Sequence, residues 1–350
     1  MPTLFDPVTI GEFELQNRMV MSPLTRCRAV DNRVPNALMA EYYSQRATAG
    51  LIISEGTVVT PMGVGYPNTP GIWSQEQVEA WKKITAAVHA KGGKILLQLW
   101  HVGRVSDPSY LNGELPVAPS AIAPKGHVSL IRPPKPFVTP RALELVEIPG
   151  IVEAFRKGAE NAKLAGFDGV EIHGANGYLL DEFLQDSTNQ RSDIYGGSLE
   201  NRARLMCEVV DAVLTVWPAG RVGLHLAPKG DAQSMGDSNA RETFTHVARE
   251  MSKRQLAFIC TRDYVGDGFL GEEIRREFSG AYIANEKFTR ETAEEFVSSG
   301  KADAVAFGKL FIANPDLVRR FRENLPLNAP NPATFYASGA EGYTDYPFYS

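Results

Sequence analysis

Cysteine is scarce: there are three in 350 residues, Cys27, Cys207 and Cys260. They lie far apart and match no metal or redox spacing, so reduced thiols in a cytoplasmic protein are expected, with no bound metal. Long apolar runs are missing as well. None approaches the roughly 20 residues needed to cross a bilayer. The opening stretch MPTLFDPVTI has neither a basic start nor a long apolar segment, so no secretory leader is expected. Basic runs are absent and the net charge is −5, which weighs against nucleic acid or an anionic membrane as partner. No G-x-G-x-x-G follows a candidate strand, which disfavours an open doubly wound sheet holding a dinucleotide in the Rossmann manner. A G-x-S-x-G elbow for a serine nucleophile is also lacking. What remains is ordinary globular composition, 43% hydrophobic and 22% charged.

Short β-rich runs alternate with longer helical patterns along the whole chain. Strands are predicted at 18–22, 50–55, 93–100, 169–173, 222–227, 256–260, 280–284 and 304–307. Helices are predicted at about 37–49, 75–91, 149–165, 198–216, 239–254, 270–278, 289–299 and 314–323. The strands are near-continuous apolar runs, as expected where a parallel sheet is covered on both faces. Eight such units imply a (β/α)₈ barrel in one domain spanning residues 1–350. A bare barrel needs about 250 residues, and the surplus falls in three places. Residues 1–17 alternate and turn at Gly11–Glu12, which suggests a hairpin closing the barrel floor. Residues 107–147, after the third strand, hold eight of the 23 prolines and no helical period, the mark of a lid-like excursion. The aromatic, Pro-rich tail 324–350 is expected to pack back over the barrel.

Barrel chemistry sits where strands end and βα loops begin. Those positions offer Thr25, the run Glu55-Gly56-Thr57, Gln98, Trp100 and His101, then His173, Asn176 and Tyr178. Later strands add His225, Asn285-Glu286-Lys287 and Gly308-Lys309. The three histidines come from different strands without a carboxylate pattern, so zinc is not expected. Neutral donors and acceptors suit a planar, heteroatom-rich ring, while the last two loops offer backbone N–H groups and Lys309 for a phosphate. A flat phosphorylated cofactor such as FMN fits both halves. Taken singly, Gln98 could as well satisfy a backbone group, and Trp100 and Tyr178 could be core. Convergence on one barrel end is what favours a site.

Six segments carry a family resemblance: SPLTRCRA (22–29), LIISEGT (51–57), LLQLWHVGR (96–104), the long run GVEIHGANGYLLDEFLQDSTNQRSDIYGGSLENRARL (169–205), AVAFGKLFIANPDLVRR (304–320) and ATFYASGAEGYTDYP (333–347). Nearly the whole chain resembles the Old Yellow Enzyme family of FMN-dependent ene-reductases in its compact bacterial form. The resemblance implies noncovalent FMN at the barrel mouth and NAD(P)H as reductant. It implies that Pro23, Thr25, Gly56, Gln98 and His225 lie along the flavin, with Asn285, Gly308 and Lys309 at its phosphate. His173 and Asn176 would grip the activating oxygen of an unsaturated carbonyl compound, imide or nitroalkene, and Tyr178 would deliver the proton. Tyr66, Trp100 and Tyr343 would line the substrate side. Small-molecule alkenes are thus the expected partners, and monomer or homodimer stays open, as does an FMN-binding protein with weak turnover.

Two segments depart from the commonest family pattern. The fifth strand reads GLHLAP, placing His225 where an arginine is usual, and imidazole titrates near pH 6.5 whereas guanidinium stays charged. The loop IANEKF lacks the glycines many members carry, which restricts φ > 0 backbone there. Lys309 replaces a frequent arginine and gives up its bidentate fork.

Overall fold

The computed structural model describes residues 1–230 and 232–350. Eight parallel strands form the barrel: β1 (Met19–Met21), β2 (Leu51–Ile53), β3 (Ile95–Trp100), β4 (Gly169–Gly174), β5 (Val222–Leu226), β6 (Phe258–Arg262), β7 (Ala281–Asn285) and β8 (Ala304–Phe307). Each pairs with the next, and Val305 pairs with Met19 to close β8 onto β1, so no barrel edge is left open.

The strands are buried almost throughout because helices cover the outside and side chains fill the inside. The helices are α1 (Ala37–Gln45), α2 (Gln75–His89), α3 (Ile148–Leu164), α4 (Leu199–Leu214), α5 (Ala240–Lys253), α6 (Gly271–Glu277), α7 (Arg290–Ser298) and α8 (Leu317–Glu323). Helix α2 begins at a reciprocal capping box between Ser74 and Gln77, and the Asn36 side chain caps α1 at Met39 N. Among the described residues, no helix is long and apolar enough to cross a membrane.

The helix expected over 314–323 starts only at Leu317, and a separate short helix, Lys309–Ala313, precedes it, the two parted at Asn314-Pro315. Proline lacks the N–H that would continue the first piece and disfavours helical backbone at the residue before it. Strand β6 lies two residues later than 256–260, so Arg262 becomes a strand-end residue.

The N-terminal hairpin, Val8–Ile10 against Phe13–Leu15, plugs the floor. Ile10, Phe13 and Leu15 pack with Val20, Leu51, Leu96, Phe258 and Ile283. Gly11 turns the hairpin at φ 56°, and a Cβ there would stand 2.3 Å from the Gly220 carbonyl oxygen. With the floor sealed, the open end is the C-terminal mouth. The excursion after β3 carries a short parallel pair, Val117–Ala118 with Arg141–Ala142. The tail folds onto the loop after β1, where Arg26 and Arg28 donate to the carbonyls of Thr334, Phe335 and Gly342.

That first loop also rests on a buried carboxylate. Glu55, just beyond β2, accepts from the Arg26 backbone N–H at 3.1 Å and from the Tyr43 hydroxyl at 3.3 Å. Burial pushes its carboxyl up to about 7, with the Arg26 contacts opposing. The folded state therefore holds this proton between the ordinary carboxylate range and pH 7, whereas the unfolded chain does not. Its contribution is present at low pH and is lost as pH rises through that window. The buried imidazoles His101 and His173, shifted downward, act in the opposite sense. A difference measurement isolates the carboxyl. The melting temperature of the wild type minus that of Glu55→Gln should fall as pH rises from 5 to 8; a flat difference would contradict this.

Candidate active site

The period of two along β4 puts Glu171 and His173 on one face, and both point into the barrel. The strand then runs into Ala175-Asn176-Gly177-Tyr178. Asn176 (φ 61°) and Gly177 (φ 77°) are both left-handed, a conformation that Gly adopts freely and Asn tolerates. A Cβ on Gly177 would press within 2.8 Å of Met235. Asp181, buried at the start of the helix Leu179–Leu184, accepts from Gly177 N at 2.8 Å and from Gln185 Nε2 at 2.7 Å. This turn sends Asn176 and Tyr178 back over the mouth, beside His173.

An inner cavity of about 450 Å³ opens there. Pro23, Thr25, Gly56, Gln98 and Trp100 line it from the first three strands, His173, Asn176 and Tyr178 from the fourth, and His225, Asn285, Gly308 and Lys309 from the rest. An outer cavity of about 700 Å³ adjoins it, sharing Asn176, Tyr178, Arg262 and Tyr336. Tyr66 faces this outer space, together with His127, Ser129 and Arg132 of the 107–147 excursion.

Tyr343, expected on the substrate side, is not on either cavity wall. It is fully buried, stacked on Tyr42 at 4.0 Å with the Arg26 and Arg28 guanidinium groups against its ring. Tyr336, seven residues earlier in the same tail, lines both cavities. The tail's fold onto Arg26 and Arg28 buries one tyrosine and presents the other. His101, at the end of β3, is also a structural residue: Nδ1 accepts from Gly103 N at 3.1 Å, and burial lowers its pKa to about 3.

The electrostatics separate the groups by task. Burial, then the neighbouring His225 and Arg262, holds His173 well below the usual imidazole range, so it is a neutral ring. Burial and the neighbouring Tyr66 push Tyr178 well above the usual phenol range, so it keeps its proton. The two tyrosine hydroxyls are 2.8 Å apart. Trp100 backs the set, edge-on to Tyr178 with centroids at 5.0 Å and near-parallel to Tyr66 at 5.5 Å.

Three residues were not singled out in the sequence. Arg262 donates to Asn176 Oδ1 at 3.0 Å and to Glu286 Oε2 at 2.9 Å. A guanidinium can only donate, so it fixes the Asn176 carboxamide with Nδ2 left as donor. Glu171 accepts from Gln98 Nε2 at 2.7 Å through one oxygen and faces His225 Nδ1 at 3.5 Å with the other. With Nε2 committed, Gln98 presents Oε1 as its free acceptor. Tyr336 is the third. Glu171 is legible in the sequence, since it shares the parity of His173; Arg262 is not, because the apolar run 256–260 ends before it.

The glycine-poor loop after β7 nevertheless reaches positive φ, at Glu286 (104°) and Lys287 (59°). Non-glycine residues there carry about 1–3 kcal/mol of strain each. Arg262 on Glu286, and Tyr264 under the Lys287 ammonium at 4.3 Å, hold the loop in place. Lys309 is exposed at the cavity wall and forms no ion pair with the described residues. Backbone at Gly308 is open, since a Cβ there would meet only Leu24, at 3.3 Å. Glu171, His225 and Cys260 bring ligand-type atoms within 4.8 Å of one another. Burial pushes the Cys260 thiol well up, against the thiolate a metal would need.

A closed parallel barrel of this kind, with neutral donors over a buried histidine and an open lysine-bearing loop, has the donor set for a flavin and its phosphate: it is an FMN oxidoreductase barrel. The chain belongs to the NADH:flavin oxidoreductase / NADH oxidase family, whose model matches residues 3–328, and within it to the Old Yellow Enzyme group. It is 45% identical over 361 residues to 12-oxophytodienoate reductase 1 of Oryza sativa subsp. japonica, covering 99% of this chain and 93% of that protein. A probable flavin mononucleotide-dependent alkene reductase of Leishmania infantum is 43% identical over 356 residues, with 99% and 97% covered. Among solved structures, morphinone reductase in complex with tetrahydroNAD superposes with a TM-score of 0.96 at 47% identity, covering 100% of this chain and 98% of that one. The old yellow enzyme homologue from Zymomonas mobilis gives the same TM-score and identity, with 99% of both chains covered. The protein is thus an NAD(P)H-dependent flavin oxidoreductase with FMN as cofactor.

Proposed function

We propose that this oxidoreductase is an ene-reductase for alkenes activated by a carbonyl, imide or nitro group. One observation carries the reading: two hydrogen-bond donors and a protonated phenol, all presented by the end of β4, converge on one cavity beside the flavin-type donor set. Thr25, Gln98 and His225, with backbone at Pro23 and Gly56, would hold the ring; Asn285, Gly308 and Lys309 would hold the phosphate. When bound, FMN supplies the hydride, taken from NAD(P)H and passed to the β-carbon of the alkene.

The chain's own residues do the rest. His173 and Asn176 Nδ2 donate to the activating oxygen, where negative charge develops as hydride arrives. Donors already fixed in place, Asn176 by Arg262, are most effective at such a site. Tyr178 gives its proton to the α-carbon. Its hydroxyl is hydrogen-bonded to Tyr66, which faces the outer cavity, so a replacement proton can come from that side. Tyr66, Trp100 and Tyr336 exclude water around the alkene. The excursion 107–147 serves as the lid of this single-domain barrel.

The test is anaerobic. NADPH or NADH should bleach the flavin of the purified protein, and 2-cyclohexenone or a maleimide should restore its colour with formation of the saturated product. Bleaching without reoxidation by any activated alkene would leave a flavin-binding protein with little turnover and overturn the proposal.

A further inference from the structure

His225 is buried in the wall of the inner cavity, and Glu171 is buried behind it. Register pairs His225 with His173 on one side and Cys260 on the other, so its ring points into the barrel between them. The ring lines the cavity, while Nδ1 is turned back to Glu171 Oε1 at 3.5 Å. Neither of those two atoms has a hydrogen-bond partner among the described residues. The other Glu171 oxygen is occupied by Gln98 Nε2, which pins the carboxylate from the β3 side.

A carboxylate can only accept, so the proton of a neutral His225 belongs on Nδ1, and Nε2 is the basic nitrogen left for the cavity. The surroundings agree. On β4, His173 is a neutral ring with its centroid 5.7 Å away. On β6, Cys260 is a neutral thiol. Gln98 on β3 carries no charge. The nearest cations on the wall are spent or peripheral: Arg262 on Glu286, Lys287 over Tyr264, and Lys309 at the exposed rim.

Resting on the flavin reading above, we propose that Glu171 is a positioning residue. By facing His225 Nδ1 with an acceptor oxygen, it makes Nε2 the place where a proton is taken up when negative charge enters the cavity. The balance is simple. Hydride brings two electrons and one proton to the cofactor. A second proton comes from solvent and forms an N–H bond at Nε2; no further bond is made or broken, and nothing else changes oxidation state. The anion is then neutralised by a side chain rather than by a permanent charge, and is released from it when the hydride leaves.

The FMN holoenzyme labelled with ¹⁵N-histidine tests this at pH 7. On reduction by dithionite, one of the six imidazoles, identified by its loss in His225→Gln, should pass from the Nδ1–H form to the doubly protonated form. Potentiometry should show two protons per two electrons, a fall of about 59 mV per pH unit. In Glu171→Gln the ring should stay neutral on reduction, and the slope should drop towards about 30 mV per pH unit. In His225→Arg the slope should also be near 30 mV, independent of Glu171. That variant keeps the test alive if Glu171→Gln does not fold. An unchanged His225 ring on reduction, or full proton uptake in Glu171→Gln, would overturn the proposal. Failure to bind FMN at all would instead refute the flavin reading, and shows itself before any of these measurements.

Discussion

Tyr178→Phe should slow reduction of an enone by about 10²- to 10⁴-fold, the usual contribution of a positioned general acid, while the rate at which NAD(P)H bleaches the flavin stays nearly unchanged. The reason is positional. Tyr178 is buried, holds its proton well above neutral pH and borders both cavities, but its hydroxyl is directed to Tyr66 and not to the residues at the cavity base. Hydride arrival at the flavin therefore does not need it. Phenylalanine keeps the ring that packs edge-on against Trp100 and His173, so folding is preserved. Separate stopped-flow measurement of the two half-reactions decides the matter: equal slowing of both would remove Tyr178 from the role of acid. With nitroalkenes the loss should be smaller, because a nitronate can take its proton from water.

Replacing His173 or Asn176 by Ala should cost about 10²- to 10³-fold in enone reduction for each donor removed, and the double variant should lose less than the product of the two. They bind one oxygen from neighbouring positions, and residues that act as a unit are not additive. Here the expected pattern differs from that of Tyr178→Phe. Substrate affinity should weaken along with the chemical step, because the donors act in the ground state as well as in the transition state. His173→Ala should also disturb the flavin side, since its ring lies 5.7 Å from that of His225. Asn176→Ala should not, because its partner is Arg262 at the rim. Oxidative half-reaction rates over a range of enone concentrations, with the flavin potential measured in each variant, would show it. Unaltered saturation with both donors gone would mean the activating oxygen binds elsewhere.

Much of this site is readable in the sequence. Alternation of apolar runs with 3.6-residue patterns is a property of each segment by itself, so eight βα units, the barrel and its functional end followed directly. Strand ends then named Thr25, Gln98, His173, Asn176, Tyr178, His225 and Gly308, all of which meet at one cavity. Parity along a single strand would have named Glu171 too.

Other features depended on partners far apart in the chain. Tyr343 and Tyr336 are both aromatic residues of one tail, and only the docking of that tail on Arg26 and Arg28 selects which faces the cavity. Arg262 matters because β6 extends two residues further and brings a donor to Asn176, 86 positions away. The positive φ at Glu286 and Lys287 contradicts local preference and holds because tertiary contacts outweigh a few kcal/mol of strain. Periodicity and residue type, which are local, thus determined the barrel and most of the cavity lining. The orientation of Asn176, the choice of tyrosine and the pairing of Glu171 with His225 came from contacts between strands and loops that no single segment encodes.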